Sequence, residues 1–190
     1  NASPILEPTT ALPAEGYSLT IEPGLIRISG DKNGLRHGRD TLRQIQEQAG
    51  AGPLPCLEIR DEPSLRVRGF MLDISRCKVP TMETLRNLVL LLAKLRYNQL
   101  QLYTEHTFAF RDHETVWREA SPMTPEEVRE IDSLCIKHGI ELVPNFNSFG
   151  HFERWLRHEP YRHLAECPDG FEREEPRIVR DHGGTLRPDQ

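Results

Sequence analysis

Several features are scarce in this sequence, and each scarcity excludes a class of protein. The longest apolar run, residues 88–93, is far shorter than the roughly 20 residues that a membrane-spanning helix needs. Lysine and arginine together number 24 against 29 aspartates and glutamates, which gives a net charge of −5. No basic stripe is set against these acids, as a nucleic-acid-binding surface would require. We therefore expect no membrane span and no nucleic-acid partner.

Cysteine is also sparse, and its spacing carries no recognisable motif. The four cysteines stand at wide, irregular intervals and form no C-x-x-C pair, which argues against a zinc ribbon or a redox site. One of them, Cys135, lies on the apolar face of a predicted helix and is interpreted as a small core residue. We predict free thiols rather than a disulfide, and neither a metal nor another cofactor. The cysteines are Cys56, Cys77, Cys135 and Cys167.

Hydrophobic residues make up 37% of the chain and charged residues 28%, which is typical of a folded globular protein. Residues 1–63 form the first predicted domain. Apolar residues alternate with polar ones over 17–21 and again over 26–28, with a turn between them, which predicts a β-hairpin. A helical stretch over 35–48 and a strand over 54–59 follow. The sequence thus predicts a small β-β-α-β domain that ends at Pro63.

Residues 64–190 form the second predicted domain, in which predicted strands and helices alternate. Short apolar strands are expected over 68–74, 100–103 and 140–143. Helices that begin after Thr81 and Thr124 separate these strands. The order β-α-β-α-β implies a parallel sheet with right-handed crossovers. From Glu166 onward the chain is charged and without periodicity, and we expect loop there.

Polar side chains follow each of the three predicted parallel strands. Such strands present their carboxyl ends at one edge of a sheet, and this is where α/β proteins place their chemistry. An ion pair, a carboxylate, two amides and an imidazole would therefore meet at one edge. The candidate site residues are Asp73, Arg76, Glu105, Asn145, Asn147 and His151.

Each candidate also has a purely structural interpretation. Asp73 and Arg76 could form an ion pair, and Glu105 could accept backbone N–H groups of a loop. His151 could cap the helix that follows it, and the two asparagines could satisfy the backbone of a turn. A zinc site made of Glu105, His106 and His151 is disfavoured, because no pair among them has the i, i+4 spacing of ligands on a helix.

Three stretches of the second domain, in this order, resemble a known family. They are residues 68–76 (RGFMLDISR), 95–103 (LRYNQLQLY) and 143–151 (VPNFNSFGH). They resemble the first three barrel strands of the β-N-acetylhexosaminidases of glycoside hydrolase family 20. The predicted first domain resembles the small α/β domain that precedes the barrel in that family. The resemblance covers roughly residues 12–170, the N-terminal part of such an enzyme.

The resemblance implies a (β/α)₈ barrel that acts on terminal β-linked N-acetylglucosamine or N-acetylgalactosamine. Its retaining mechanism is substrate-assisted: the acetamido oxygen attacks the anomeric carbon, outside the usual two-carboxylate scheme. Arg76 matches the arginine that grips hydroxyls of the terminal sugar, and His151 matches a third-strand histidine near the acid. Glu105 stands where many members carry an acid. Asn145 and Asn147 replace residues that are often acidic in the family.

The Asp-Glu pair that the family carries on its fourth barrel strand is not visible in this chain. A full barrel needs about 250 residues, whereas the second domain supplies three strands. We therefore expect a truncated barrel that is inactive alone, binds a carbohydrate with a terminal N-acetylhexosamine, and self-associates through its open edges. Two alternatives stay open. One is a non-catalytic carbohydrate-binding or scaffold protein with this fold, and the other is a different sugar-active barrel whose nucleophile lies downstream.

Overall fold

The computed structural model describes residues 3–76 and 78–189 and divides the chain into two compact units, Asn1–Arg68 and Gly69–Gln190. Within the described part, no helix is both long enough and apolar enough to cross a membrane. Cys56, Cys135 and Cys167 are free thiols, as predicted, and Cys77 lies outside the described residues.

The first unit is a four-stranded sheet covered by one helix. The strands run in the spatial order β1-β3-β2-β4, and β1 joins the edge by parallel pairing with β3. The predicted β-β-α-β order is correct for β2, β3, α1 and β4, but β1 was missed, because a four-residue strand that ends in Pro8 shows no alternation. The elements are β1 (Ile5–Pro8), β2 (Tyr17–Glu22), β3 (Leu25–Gly30), α1 (Lys32–Ala49) and β4 (Leu57–Asp61).

Helix α1 begins at Lys32, earlier than predicted, because the Asp31 side chain accepts a hydrogen bond from the Gly34 backbone N–H. Two glycines then let the helix approach its neighbours closely. A Cβ atom at Gly34 would lie 2.0 Å from the Gly16 carbonyl oxygen, and one at Gly38 would lie 2.4 Å from a methyl of Ile28. The helix therefore packs backbone against backbone at Gly34.

The second unit is built on a parallel sheet of three strands in the order β5-β6-β7, as the β-α-β-α-β pattern predicted. Helices α2 and α4 connect the strands, and a single turn, α3, lies between β6 and α4. The elements are β5 (Gly69–Asp73), α2 (Met82–Lys94), β6 (Gln99–Thr104), α3 (Glu114–Trp117), α4 (Pro125–Lys137) and β7 (Glu141–Phe146).

The two long helices of this unit begin where the sequence predicts. The Thr81 hydroxyl accepts from the Thr84 N–H at the start of α2. At the start of α4, Thr124 and Glu127 form a reciprocal capping box, with Pro125 in the first turn. Gly139, at φ +66°, follows α4 and lets the chain turn into β7.

The sheet has one apolar face and one polar face, because side chains alternate along a strand. Leu100 and Leu102 of β6 point to the core beneath α2 and α4, together with Val89, Ile131 and Cys135. Burial raises the pKa of the Cys135 thiol to about 11. Gln99, Gln101 and Tyr103 alternate with these leucines and give the opposite face its polar character.

Two short helices follow β7, before Glu166. After Glu166, where loop was predicted, the chain instead forms an antiparallel hairpin of two three-residue strands. The hairpin strands are too short and too exposed to need an alternating pattern, so the sequence carries no period there. These elements are α5 (Glu153–Leu156), α6 (Glu159–Arg162), β8 (Phe171–Arg173) and β9 (Ile178–Arg180).

The close approach at Gly34 gives a test of the first unit. In an open helix, Gly→Ala would stabilise by up to about 1 kcal/mol. Here we expect Gly34→Ala to lower the free energy of unfolding by about 1–3 kcal/mol, because the methyl group meets a backbone carbonyl that cannot rotate away. Gly38→Ala should cost less, since the Ile28 side chain can repack. Urea denaturation measures both, and a Gly34→Ala protein as stable as the wild type would contradict this packing.

Candidate functional site

Arg76 lies at the centre of the polar groups beyond the strand ends. It forms an ion pair with Asp73 at 2.5 Å, and its Nη2 lies 3.0 Å from Glu105 Oε1. The same nitrogen is 3.3 Å from His151 Nδ1, and the guanidinium lies 5.0 Å from the centre of the Tyr103 ring. Side chains from the ends of all three strands thus converge on one arginine, as the sequence predicts.

Tyr103 was missed by sequence reasoning, and it connects this cluster to the third strand. Its hydroxyl lies 2.9 Å from Glu105 Oε1 and 3.0 Å from Asn147 Oδ1, and it shares its single hydrogen between these acceptors. The Asn147 amide donates to the His151 carbonyl at 3.4 Å. Alternation along β6, which places Tyr103 on the polar face with Gln99 and Gln101, was the signal that could have identified it.

The loops that hold the cluster are themselves fixed by hydrogen bonds. The Ser75 N–H donates to Asp73 Oδ1 at 2.8 Å, and the Glu105 N–H donates to Ser75 Oγ at 2.6 Å. The Trp155 indole N–H donates to the Glu105 carbonyl at 2.8 Å. The loop after β6 is therefore held from both sides, and the Glu105 side chain is only 8% exposed.

Charges within the cluster stabilise one another. Partial burial opposes ionisation of Asp73, but the Ser75 N–H and the Arg76 guanidinium outweigh it and hold the pKa of that carboxyl below its ordinary value. The hydrogen bond to Asp73, together with Tyr103 and Glu105, raises the pKa of Arg76 above its ordinary value. Arg76 keeps 49% of its side chain exposed, so it can still reach a ligand.

The structural interpretations have separate outcomes. The Asp73–Arg76 ion pair is present. Among the described residues, the partners of the Glu105 carboxylate are the side chains of Arg76, Tyr103 and His151 rather than a set of backbone donors. The capping role for His151 is wrong, since α5 has Phe152 at its N-cap and no side-chain cap hydrogen bond. His151 instead adopts φ +60°, a backbone conformation that is uncommon for a residue other than glycine.

Asn145, a predicted site residue, and His106, a member of the disfavoured zinc set, lie apart from the Arg76 cluster. Asn145 lies on the polar face of the sheet, where its amide donates to Gln101 Oε1 at 3.0 Å and to Met71 Sδ at 3.4 Å. His106 is buried and lines a different cavity. Among residues 3–76 and 78–189, no three His, Cys, Asp or Glu side chains are arranged to hold a metal ion.

A cavity of about 230 Å³ adjoins the cluster and is walled by aromatic rings. Glu105, Asn147 and His151 line it on the polar side. The ring centroids of Phe110 and Trp155 lie 5.3 Å apart in an edge-to-face arrangement. The remaining lining residues are Thr104, Phe110, Phe146, Phe152 and Trp155.

Sequence reasoning did not identify Trp155 as a site residue, because the wall is assembled from aromatic residues far apart in the chain. Chemically, the cavity combines a carboxylate, an amide, an imidazole and aromatic faces, and the guanidinium of Arg76 contacts two of its lining residues, Glu105 and His151. Such a combination suits a ring that carries adjacent hydroxyls and apolar C–H faces.

The lowered pKa of Asp73 predicts how acid affects this cluster. Because the folded pKa lies below the ordinary 3.8, the unfolded chain binds the proton more tightly, and stability is lost as pH falls through the folded pKa. Asp73→Asn should cost about 0.2–1 kcal/mol at pH 7, since its side chain is 34% exposed. Urea unfolding should show this cost shrinking below pH 3.8. A cost that is constant with pH would contradict the ion pair.

Comparison with known proteins gives a consistent result. Residues 4–62 match the family model "Glycosyl hydrolase family 20, domain 2". A β-hexosaminidase of Akkermansia muciniphila is 28% identical over 161 residues, which are 74% of this chain and 32% of the relative. A β-hexosaminidase subunit A1 of Dictyostelium discoideum is 26% identical over 82% of this chain and 31% of its own length. The chain thus spans about a third of the length of these relatives.

Solved structures show the same likeness in the fold. A mutant β-hexosaminidase of Streptomyces plicatus, in complex with its product GlcNAc, has a TM-score of 0.77. It is 23% identical to this chain, and the match covers 100% of this chain and 42% of that one. A family 20 exo-β-N-acetylglucosaminidase of Vibrio harveyi has a TM-score of 0.76 at 21% identity, over 97% of this chain and 33% of its own. The chain therefore resembles the β-N-acetylhexosaminidases of glycoside hydrolase family 20 in sequence and in fold, over part of their length.

Proposed function

We propose that this chain is the N-terminal, substrate-gripping part of a glycoside hydrolase that releases terminal β-linked N-acetylglucosamine or N-acetylgalactosamine. The observation that carries the proposal is the convergence of Arg76, Glu105 and His151 beside an aromatic cavity. The relatives named above are β-hexosaminidases, which agrees with this site chemistry.

We propose that Arg76 hydrogen-bonds to adjacent hydroxyls of the terminal sugar. Its planar fork of donors matches the spacing of a diol, and its exposed half leaves N–H groups available to a ligand. Asp73 and Glu105 hold the guanidinium from two sides, so the fork is oriented before the sugar binds. This orientation lowers the entropic cost of binding, because one long side chain is already ordered.

The aromatic cavity is the proposed seat of the apolar parts of the sugar. Trp155 lies against it, and its hydrogen bond to the Glu105 carbonyl fixes the ring. His151 and Asn147 close the polar side, where they can hydrogen-bond to the same ring. An N-acetyl group carries a methyl and an amide, which the aromatic and polar walls would satisfy together.

The proposed reaction is a retaining hydrolysis in which the acetamido oxygen of the substrate attacks the anomeric carbon. A general acid must protonate the departing oxygen. Asp73 and Glu105 are both paired with Arg76, so neither is placed for that task in the described residues. We assign the acid and its neighbouring aspartate to a fourth strand beyond this chain, in a (β/α)₈ barrel that β5, β6 and β7 begin.

A non-catalytic carbohydrate-binding or scaffold protein is the second candidate. The same pairing of Asp73 and Glu105 with Arg76 favours it, because a site made only of paired carboxylates binds without supplying a proton. The two candidates share the Arg76 cluster and differ in whether a neighbouring Asp-Glu pair completes it. Measured hydrolysis of a substrate would distinguish the hydrolase from the binding protein.

The open side of the second unit supports a further proposal, self-association of the chain by itself. A groove of about 540 Å³ lies between β7 and α4, lined mainly by apolar residues such as Val128, Leu142 and Pro144. Phe146 at its rim is 46% exposed, and Ile136 of α4 is 58% exposed. Strand β7 also has a hydrogen-bonding edge with no partner strand among the described residues.

Activity tests the proposed hydrolase. The longer gene product should release nitrophenol from a nitrophenyl β-N-acetylglucosaminide, and Arg76→Ala should lower kcat/KM about 10- to 100-fold through lost charge-assisted hydrogen bonds. Arg86→Ala is the matched control, because Arg86 is 47% exposed and pairs with Glu130 in the helix layer. No turnover by a product that lacks a downstream Asp-Glu pair would favour the binding protein. Equal losses in both variants would overturn the role of Arg76.

Sedimentation tests the self-association. The 190-residue chain should show a sedimentation coefficient that rises with concentration over the micromolar range, since the exposed groove and strand edge can be covered by a second copy. Phe146→Lys should weaken the association, because it places a charge at the rim. A single monomeric species at every concentration would contradict this proposal.

A further inference from the structure

A second polar cavity lies in the same unit and shares no lining residue with the aromatic one. Its volume is about 320 Å³, which is within the range of small-ligand sites. Its walls come from the loop after β6, from α3 and the residues that follow it, and from α5 and its C-terminal end. They comprise His106, Thr115, Val116, Arg118, Glu119, Ala120, Arg154, Arg157 and His158.

Positive charge dominates this lining. The described lining residues include three arginines, Arg118, Arg154 and Arg157, and one carboxylate, Glu119. In the part of the chain that the structure describes, Arg118 pairs loosely with Glu114 at 3.7 Å, and no carboxylate lies within ion-pair distance of Arg154 or Arg157. Arg157 donates from Nε to His158 Nε2 at 3.3 Å, so its terminal amino groups are not used in that bond.

His106 lines this cavity and carries an unsatisfied polar atom. The residue is only 7% exposed, and its Nδ1 has no hydrogen-bond partner among the described residues. Burial, with Arg154 and Arg157 nearby, lowers the pKa of His106 to about 4. A buried polar atom without a partner costs free energy, and a cavity that repels protons attracts anions. The unpaired Nδ1 of His106 and the positive charge around it therefore both favour an anion as the partner.

We infer that the cavity bounded by His106, Arg154 and Arg157 binds an oxyanion, a phosphate or sulfate group, either free or carried as a monoester. Arginine forks bind such groups bidentately, and the imidazole of His106 can donate to a third oxygen. The volume exceeds that of one tetrahedral anion and leaves room for an organic substituent. This inference does not depend on the proposed glycosidase activity.

The two cavities are joined by consecutive residues. Glu105 lines the aromatic cavity and His106 the cationic one, and Trp155 and Arg154 are divided in the same way. An anion held by His106 and Arg154 would therefore fasten the loop after β6 to α5. Both elements also form the wall of the aromatic cavity. Occupancy should thus reduce the motion of Glu105 and Trp155 without contacting a sugar.

Titration of the chain with inorganic phosphate, followed through the imidazole NMR signals of His106, tests the inference. We expect a saturable shift that sodium chloride of matched ionic strength does not produce. Arg154→Gln and Arg157→Gln should each raise the phosphate Kd about tenfold, through loss of a charge-assisted hydrogen bond. Arg129→Gln is the matched control, because Arg129 is 70% exposed and pairs with Glu126 away from the cavity.

The outcomes are decisive in either direction. A linear shift, an equal response to chloride, or an unchanged Kd in both glutamine variants would overturn the inference. Arg157 lies beyond the last residue of α5, so Arg157→Gln tests the site even where Arg154→Gln disturbs that helix. A second titration, with glucose 6-phosphate, distinguishes a free anion from a monoester. Tighter binding than inorganic phosphate supports a monoester ligand, and equal binding supports a free anion.

Discussion

Parallel pairing of β6 with both of its neighbours is the constraint on which the candidate site depends. The register places Asp73 beside Tyr103, and Tyr103 beside Asn145. A shift of one residue in either pairing would move these side chains to the apolar face, because successive side chains alternate between faces. The buried leucines of β6 fix the register from the opposite face. The core therefore determines where the polar groups meet.

Arg76 then orients the polar side chains that the strand register brings together. The guanidinium of Arg76 contacts Asp73, Glu105 and His151, so it connects the ends of all three strands, and about half of its side chain stays exposed. Each carboxylate loses solvation on approaching the site, and the arginine offsets that loss. The cost is that both acids are occupied by an ion pair. The cluster is therefore suited to gripping a polar ligand rather than to donating a proton.

The sequence predicted the parts of this molecule that have strong local signals. The strands and helices of the second unit follow from apolar periodicity and from capping threonines, and the polar groups at the strand ends follow from the order of these elements. The aromatic wall of the cavity could not be predicted in this way, because Phe110, Phe146 and Trp155 are brought together only by tertiary packing. The hairpin of β8 and β9 was missed since strands that bury little need no pattern. The residues next to His106 in the sequence likewise do not indicate that it is buried.

The most direct measurement is the indole N–H signal of Trp155 in an NMR titration with N-acetylglucosamine. Trp155 lines the aromatic cavity, whereas Trp117, whose indole donates to the Phe110 carbonyl, does not. The sugar site predicts a saturable shift of Trp155 that exceeds any shift of Trp117 and is lost in Arg76→Ala. An unchanged Trp155 signal at tens of millimolar sugar, or the same shift in the variant, would contradict it.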